Sequence, residues 1–218
     1  MWDYRAALRR WERAYFRSRW SRLFAELMSR KATHLYDRAA DELGSLPPGS
    51  RLADIGCGHG TFLLRYLQRY PEAKGFGLDQ SAELIRFADQ QCTAAGVDCE
   101  FMVGDVHDAP LPAAAFDAMV STSSIYCWHD PTRALDNLYG ALKPGGRFLL
   151  WEMLPVRSFA DAWTSLFDHK VYGLSLPAYT ETEMREFVRR SRFQEAKVEI
   201  DRLIIRFEFS RPLADNER

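Results

Sequence analysis

Two short stretches combine glycine and acid in a way that can hold a charged ligand. The first is Asp54-Ile55-Gly56-Cys57-Gly58-His59-Gly60, in which an apolar run ends and a helical pattern begins near Thr61. Glycines let a backbone approach a ligand where a Cβ would clash, and a helix start presents N–H groups that no carbonyl of the helix satisfies. On its own, a G-x-G-x-G loop specifies only a tight strand-to-helix turn. The second stretch is Gly75-Phe76-Gly77-Leu78-Asp79, whose carboxylate comes 23 residues after Gly56. An acid at the end of the second strand of a doubly wound sheet can accept both hydroxyls of a ribose. Together the two stretches point to an adenosine-containing ligand. A dinucleotide loop, G-x-G-x-x-G, needs its third glycine at position 61, where Thr61 stands. A carboxylate at Asp54, just before the loop, repels a pyrophosphate and favours a ligand with a cationic end. Both details disfavour NAD, and titration with NADH tests that alternative.

The elements needed to position these groups are legible in the hydrophobic pattern. Residues 2–43 read as helix, with Tyr4, Leu8, Trp11, Tyr15, Leu23 and Leu27 recurring at helical spacing, and Leu46-Pro47-Pro48-Gly49-Ser50 ends the pattern. Strands are expected near 51–55, 74–79, 99–103, 116–121 and 146–152, alternating with helices near 60–70, 81–95 and 131–142. Such alternation is the mark of βαβ units and a mostly parallel sheet. Ser81 and Asp130-Pro131 read as helix starts, and Thr180-Glu181-Thr182-Glu183 as a capping box opening a last helix to about 191. Ala196–Ile200 and Leu203–Phe209, joined by Asp201-Arg202, are expected to pair antiparallel at the sheet edge. Residues 155–178 are the least regular stretch.

With these elements in place, roughly residues 33–152 resemble the class I S-adenosylmethionine-dependent methyltransferases. Asp54-x-Gly56-x-Gly58-x-Gly60 is similar to the family's first motif and Asp79 to its ribose-binding acid. Gly104-Asp105-Val106 is similar to the third-strand segment that meets adenine. Phe116-Asp117-Ala118-Met119-Val120-Ser121 resembles the fourth strand, and Leu142-Lys143-Pro144-Gly145-Gly146-Arg147-Phe148 the turn into the fifth. The resemblance implies a doubly wound α/β fold with a mostly parallel seven-stranded, Rossmann-like sheet, a C-terminal antiparallel pair and an N-terminal helical extension. It implies S-adenosyl-L-methionine as methyl donor, with S-adenosyl-L-homocysteine as product. The cofactor residues it implies are Tyr36, Asp54, Gly56, Cys57, Gly58, Gly60, Asp79, Gln80, Asp105, Val106 and Ser121. It divides the chain into a helical extension, 1–45, and a methyltransferase domain, 46–218, with 155–178 as a substrate cap.

Ile125-Tyr126-Cys127-Trp128-His129-Asp130-Pro131 is similar to the aromatic/His-Asp-Pro segment of quinone and sterol C-methyltransferases, which implies a small-molecule acceptor. Ser121-Thr122-Ser123-Ser124 stands where amino-nitrogen methylases carry Asn/Asp-Pro-Pro-Tyr/Phe, so nucleobase amino methylation is disfavoured. An acceptor that must lose a proton needs a base of near-neutral pKa, and His129, just beyond strand four, is the candidate by position. Packing beside the helix start is the simpler use of that side chain. His169 and Tyr172 are further candidates, set in the expected cap.

Composition restricts the setting. The chain has 218 residues, 47% hydrophobic and 27% charged, and no apolar run approaches a membrane-spanning length. Cys57, Cys92, Cys99 and Cys127 are scattered without a C-x-x-C pair, so no metal site is expected, and a reduced cytoplasmic location is. The first 31 residues carry nine Lys or Arg against three acids, a local charge of +6, which leaves −7 for the remainder. This helix is expected to act as a lid over the cleft or as a homodimer surface, its arginines solvated or paired to the acidic remainder. RNA or protein as methyl acceptor, and a catalytically silent cofactor-binding module, are the competing readings.

Overall fold

Strand β1, Arg51–Ile55, is buried after its first residue, as a strand flanked on both sides must be. In the computed structural model, which describes residues 33–154, 179–202 and 204–213, β1 lies between β2, Lys74–Asp79, and β4, Phe116–Thr122, parallel to both. The other strands are β3, Cys99–Val103, β5, Leu142–Met153, β6, Lys197–Asp201, and β7, Ile204–Ser210. The sheet order is β3-β2-β1-β4-β5-β7-β6, parallel except for β7, which runs antiparallel to β5 and β6. The chain therefore winds outward in one direction through β2 and β3 and in the other from β4. This reversal leaves a crevice beyond the carboxyl ends of β1 and β4.

Helices cover both faces. One carries a helix, α1, over 33–43 and α2, Thr61–Arg69, and the other carries α4, Pro131–Ala141, and α5, Glu181–Arg190; α3, Ala82–Ala95, packs on β2 and β3. Period-two alternation sorts the strand residues between the faces. Leu52, Ala118, Val120, Leu149 and Trp151 join Leu35, Leu43, Phe62 and Tyr66, whereas Ala53, Met119, Phe148 and Leu150 join Leu135, Leu138 and Met184. The helix over 33–43 is part of this core: Leu35, Ala39 and Leu43 are buried, and Arg147 donates to the carbonyls of Glu42 and Leu43.

The expected helix starts take their capping geometry. Ser81 accepts from the N–H of Leu84, Asp130 from that of Arg133, and Thr180 exchanges hydrogen bonds with Glu183 in a full capping box. Strand β5 begins earlier than hydropathy indicates, because Leu142 already pairs with Phe116 before the register shifts around Pro144 and Gly145. The expected helix up to residue 32 and the cap at 155–178, with His169 and Tyr172, lie outside the described residues. Among those described, no helix is long and apolar enough to cross a membrane.

At the sheet's far edge Phe148 stacks on Phe209 at 5.1 Å, and Phe193 closes on Phe209 at 4.8 Å. Truncating a fully buried ring leaves a cavity that the sheet cannot collapse to fill. Phe148→Ala is expected to cost about 3–5 kcal/mol, read as a lower urea midpoint at unchanged m-value.

Candidate functional site

The loop after β1 is built from backbone that only glycine adopts easily. Gly56 has φ +75°, and a Cβ on it would stand 2.6 Å from the Cβ of Ser124; Gly60 has φ +77°, and its Cβ would stand 2.9 Å from that of Ala88. These glycines bring the loop against β4 and α3 and leave its N–H groups directed by other atoms. Gly56 N and Cys57 N donate to Leu78 O at 2.8 and 3.0 Å, while Gly58 N donates to Asp79 Oδ2 at 2.9 Å. The other oxygen of Asp79 accepts from Ser81 N at 2.8 Å, so one carboxylate ties the loop, the end of β2 and the start of α3 together.

Beneath this loop lies Asp54, only 2% exposed, with an Oδ1 that has no hydrogen-bond partner. Burial, reinforced by the charge of Asp79, pushes its pKa up to about 8. Burial likewise raises Asp79, partly offset by its two backbone hydrogen bonds. A buried carboxylate short of donors, close to a second one, is a site for a cation that also donates hydrogen bonds.

The crevice is open to solvent on one side. Of the residues expected from sequence, Gly56, Asp79, Gln80, Asp105 and Val106 line it. The remaining ones do not. Gly58 and Gly60 shape the loop, and the thiol of Cys57 turns inward, close to Gly77 and hydrogen-bonded to Gly58 O, with its pKa raised by burial. Ser121 is fully buried and donates to Ile55 O at 2.7 Å, with Ser124 Oγ 2.5 Å away. Tyr36 packs edge-on against Phe62 on the helical face. His129 is exposed, its ring tilted against that of His107 with centroids 3.8 Å apart.

The opposite wall comes from the segment after β4. Ser123 takes a left-handed φ of +51°, unusual for a side-chain-bearing residue, and is held there by its N–H to Trp151 O at 2.8 Å. A single 3₁₀ turn, Ile125–Cys127, follows, and the buried carboxylate of Glu152 fixes it by accepting from Ile125 N at 3.0 Å. Ser124, Cys127 and Trp128 thereby face the crevice.

Sequence reasoning missed His107, which is buried in the same crevice and hydrogen-bonded through Nδ1 to Asp105. The available signal was the Asp-x-His spacing after β3, which lets a side chain fold back onto the acid. Glu152 was missed because it lies inside an otherwise apolar strand.

Residues 52–146 match a family model described as "Methyltransferase domain". Over 133 residues, 61% of this chain and 60% of the relative, the sequence is 30% identical to a demethylmenaquinone methyltransferase of Thermus thermophilus. Over 155 residues, 69% of this chain and 43% of the relative, it is 32% identical to a chloroplastic 2-methyl-6-phytyl-1,4-hydroquinone methyltransferase of Oryza sativa subsp. japonica. The chain spans about half the length of the curated relatives it matches. Its fold is shared with a putative methyltransferase solved in complex with the Haloferax volcanii Trm112 methyltransferase activator, at TM-score 0.71 and 20% identity, covering 91% of this chain and 98% of that one.

The raised pKa of Asp54 has a consequence for stability. Above pH 4 the unfolded carboxyl gives up its proton while the folded one keeps it, so the folded state loses stability as pH rises towards about 8 and no further beyond. Urea denaturation from pH 5 to 8 should therefore show a decline in the wild type that is absent in Asp54→Asn. Parallel profiles would show that the carboxyl titrates normally.

Proposed function

We propose that the chain is a class I S-adenosylmethionine-dependent methyltransferase, built on the methyltransferase domain matched at residues 52–146, and that it transfers a methyl group from S-adenosyl-L-methionine to a small-molecule acceptor. The observation that carries this reading is the donor-poor Asp54 carboxylate buried beneath a glycine loop whose next-strand acid is Asp79. A dinucleotide would bring a pyrophosphate up to the Asp79 charge and above an Asp54 carboxyl that it could only hold protonated. An amino-acid ammonium and a sulfonium suit that field.

In this assignment Asp79 accepts the ribose hydroxyls with the lone pairs its two backbone donors leave free. Asp105 and Val106 receive the adenine, the first through its carboxylate and the second by apolar contact. Asp54, held below the loop, balances the charge of the methionine end. The sulfonium supplies an already activated methyl group, so the protein's own work is to orient both reactants and keep water out. Residues 46–218 form the transferase unit, with the helix over 33–43 packed into its core.

The acceptor is assigned to the small-molecule class because Ser121-Thr122-Ser123-Ser124 stands where a Pro-Pro-aromatic bracket would hold an amino group, and the wall that follows presents Cys127 and Trp128. The hydroquinone and menaquinone names of the relatives support a phenolic or enolic acceptor. Such an acceptor surrenders a proton, and His129, at the edge of that wall, is the base this reading provides.

Calorimetry with S-adenosylhomocysteine tests the proposal. Micromolar binding is expected, weakened at least tenfold by Asp79→Ala, and no heat at high protein concentration would sink it. Binding a cationic ligand end beside Asp54 also favours its ionised form. At pH 7 binding should release protons, seen as a dependence of apparent enthalpy on buffer ionisation heat, and Asp54→Asn should abolish that dependence. Transfer from methyl-labelled cofactor to demethylated quinols, but not to RNA or protein, is the expected acceptor profile.

A further inference from the structure

The turn after β3 and the segment before α4 form two walls of the crevice, and one imidazole joins them. His107 is buried, its side chain 2% exposed. Its Nε2 accepts from the backbone N–H of Asp130 at 3.2 Å. A backbone N–H can only donate, so Nε2 carries no proton and the ring's hydrogen sits on Nδ1. Nδ1 in turn lies in hydrogen-bond contact with Asp105 Oδ1, which also accepts the backbone N–H of His107 at 3.2 Å. Both bonds fall on the same oxygen, and Asp105 itself lines the crevice.

A second strap runs parallel to the first. From α4, Asn137 Nδ2 donates to Val106 O at 2.9 Å and to Ala109 O at 3.1 Å. Asn137 holds the backbone of the turn, whereas His107 contacts the carboxylate.

We infer that His107 is a positioning residue for ligand recognition: as a neutral Nδ1–H tautomer it aims the Asp105 carboxylate into the crevice and locks the turn after β3 to the start of α4. The inference rests on the reading of Asp105 as the adenine-facing acid. The groups facing His107 are Asp105 from its own turn, and His129 and Asp130 from the opposite wall. Burial holds its pKa below the ordinary histidine range, although the bond to Asp105 opposes that shift. At neutral pH the strap is therefore intact. Acidification puts a proton on Nε2, where it meets the N–H of Asp130 donor against donor, and that link opens.

The same three side chains, Asp105, His107 and His129, offer potential metal-ligand atoms within 4.8 Å of one another. A metal on Nδ1 would move the ring proton to Nε2, against Asp130 N–H. Strap and metal are thus alternatives, and the tautomer separates them.

The test uses the full chain and 5′-methylthioadenosine, which carries adenine and ribose but no amino-acid end and so does not report on Asp54. Its Kd is measured from pH 5 to 8 for wild type and His107→Phe. The variant is expected to bind about tenfold more weakly at pH 7.5, with the ratio of the two Kd values falling as the pH is lowered far enough to protonate the wild-type imidazole. Any slope contributed by Asp79 is common to both proteins and cancels in the ratio. A ratio within twofold of one at every pH would overturn the inference. Should His107→Phe fail to fold, ¹⁵N NMR of the wild-type imidazole decides: Nδ1 protonated and Nε2 bare at pH 7.5 is the required state, and the opposite tautomer refutes it. Stoichiometric zinc binding that displaces the Nδ1 proton would refute it as well. Failure of wild type to bind both S-adenosylhomocysteine and methylthioadenosine would fall on the adenosyl-ligand reading, and the tautomer would still decide the strap.

Discussion

The site depends on one hydrogen bond, from Gly58 N to the Asp79 carboxylate. It joins the loop after β1 to the end of β2, while the second Asp79 oxygen holds the start of α3. The loop reaches that carboxylate because Gly56 and Gly60 accept left-handed backbone and carry no Cβ to strike Ser124 or Ala88. The position of β1 at the point of reversed winding then follows as a requirement, since there the chain winds outward to either side and leaves space above the loop. Ser121 completes the arrangement from below. Its hydroxyl, with that of Ser124, satisfies the Ile55 carbonyl that the turning chain leaves behind.

That geometry has an electrostatic cost, borne by Asp54. A carboxylate buried with one oxygen lacking any donor, next to a second carboxylate, contributes nothing to the stability of the ligand-free protein at neutral pH. Its side chain projects to the α1/α2 face by the same alternation that buries Leu52, so an apolar residue there would pack well. In the proposed assignment that local cost is offset when a cationic ligand end draws the proton from Asp54.

Much of the fold was legible in the sequence because it rests on local chemistry. The short apolar strand runs, Asp130-Pro131 and the Thr180–Glu183 box each specify their element locally, and each takes the geometry its chemistry dictates. The glycine loop and Asp79 were legible for the same reason. What escaped are partnerships across long separations. The resemblance assigns Ser121 to the cofactor, yet its hydroxyl is spent on Ile55, 66 residues away. Cys57 sits in the motif but packs inward. Glu152 pins Ile125 from 27 residues away, and His107 reaches Asp130 across 23. No periodicity encodes these pairings; they exist only once the sheet order is set.

The two walls of the crevice are built by different means, and the difference bears on how specificity divides. The β1–β2 side is backbone held by backbone and by one carboxylate, so few side chains there can change without losing the loop. The β3–α4 side is held by side chains: His107, Asn137 and Glu152. Straps of that kind can be exchanged one at a time, and each exchange moves Tyr126, Cys127 and Trp128 relative to the fixed loop. One framework can therefore keep a constant adenosyl end while the facing wall is recut for a different acceptor. The sequence patterns behave accordingly: a sharp motif at Asp54–Gly60 and a loose one at Ile125–Pro131 follow from rigid backbone on one side and replaceable straps on the other.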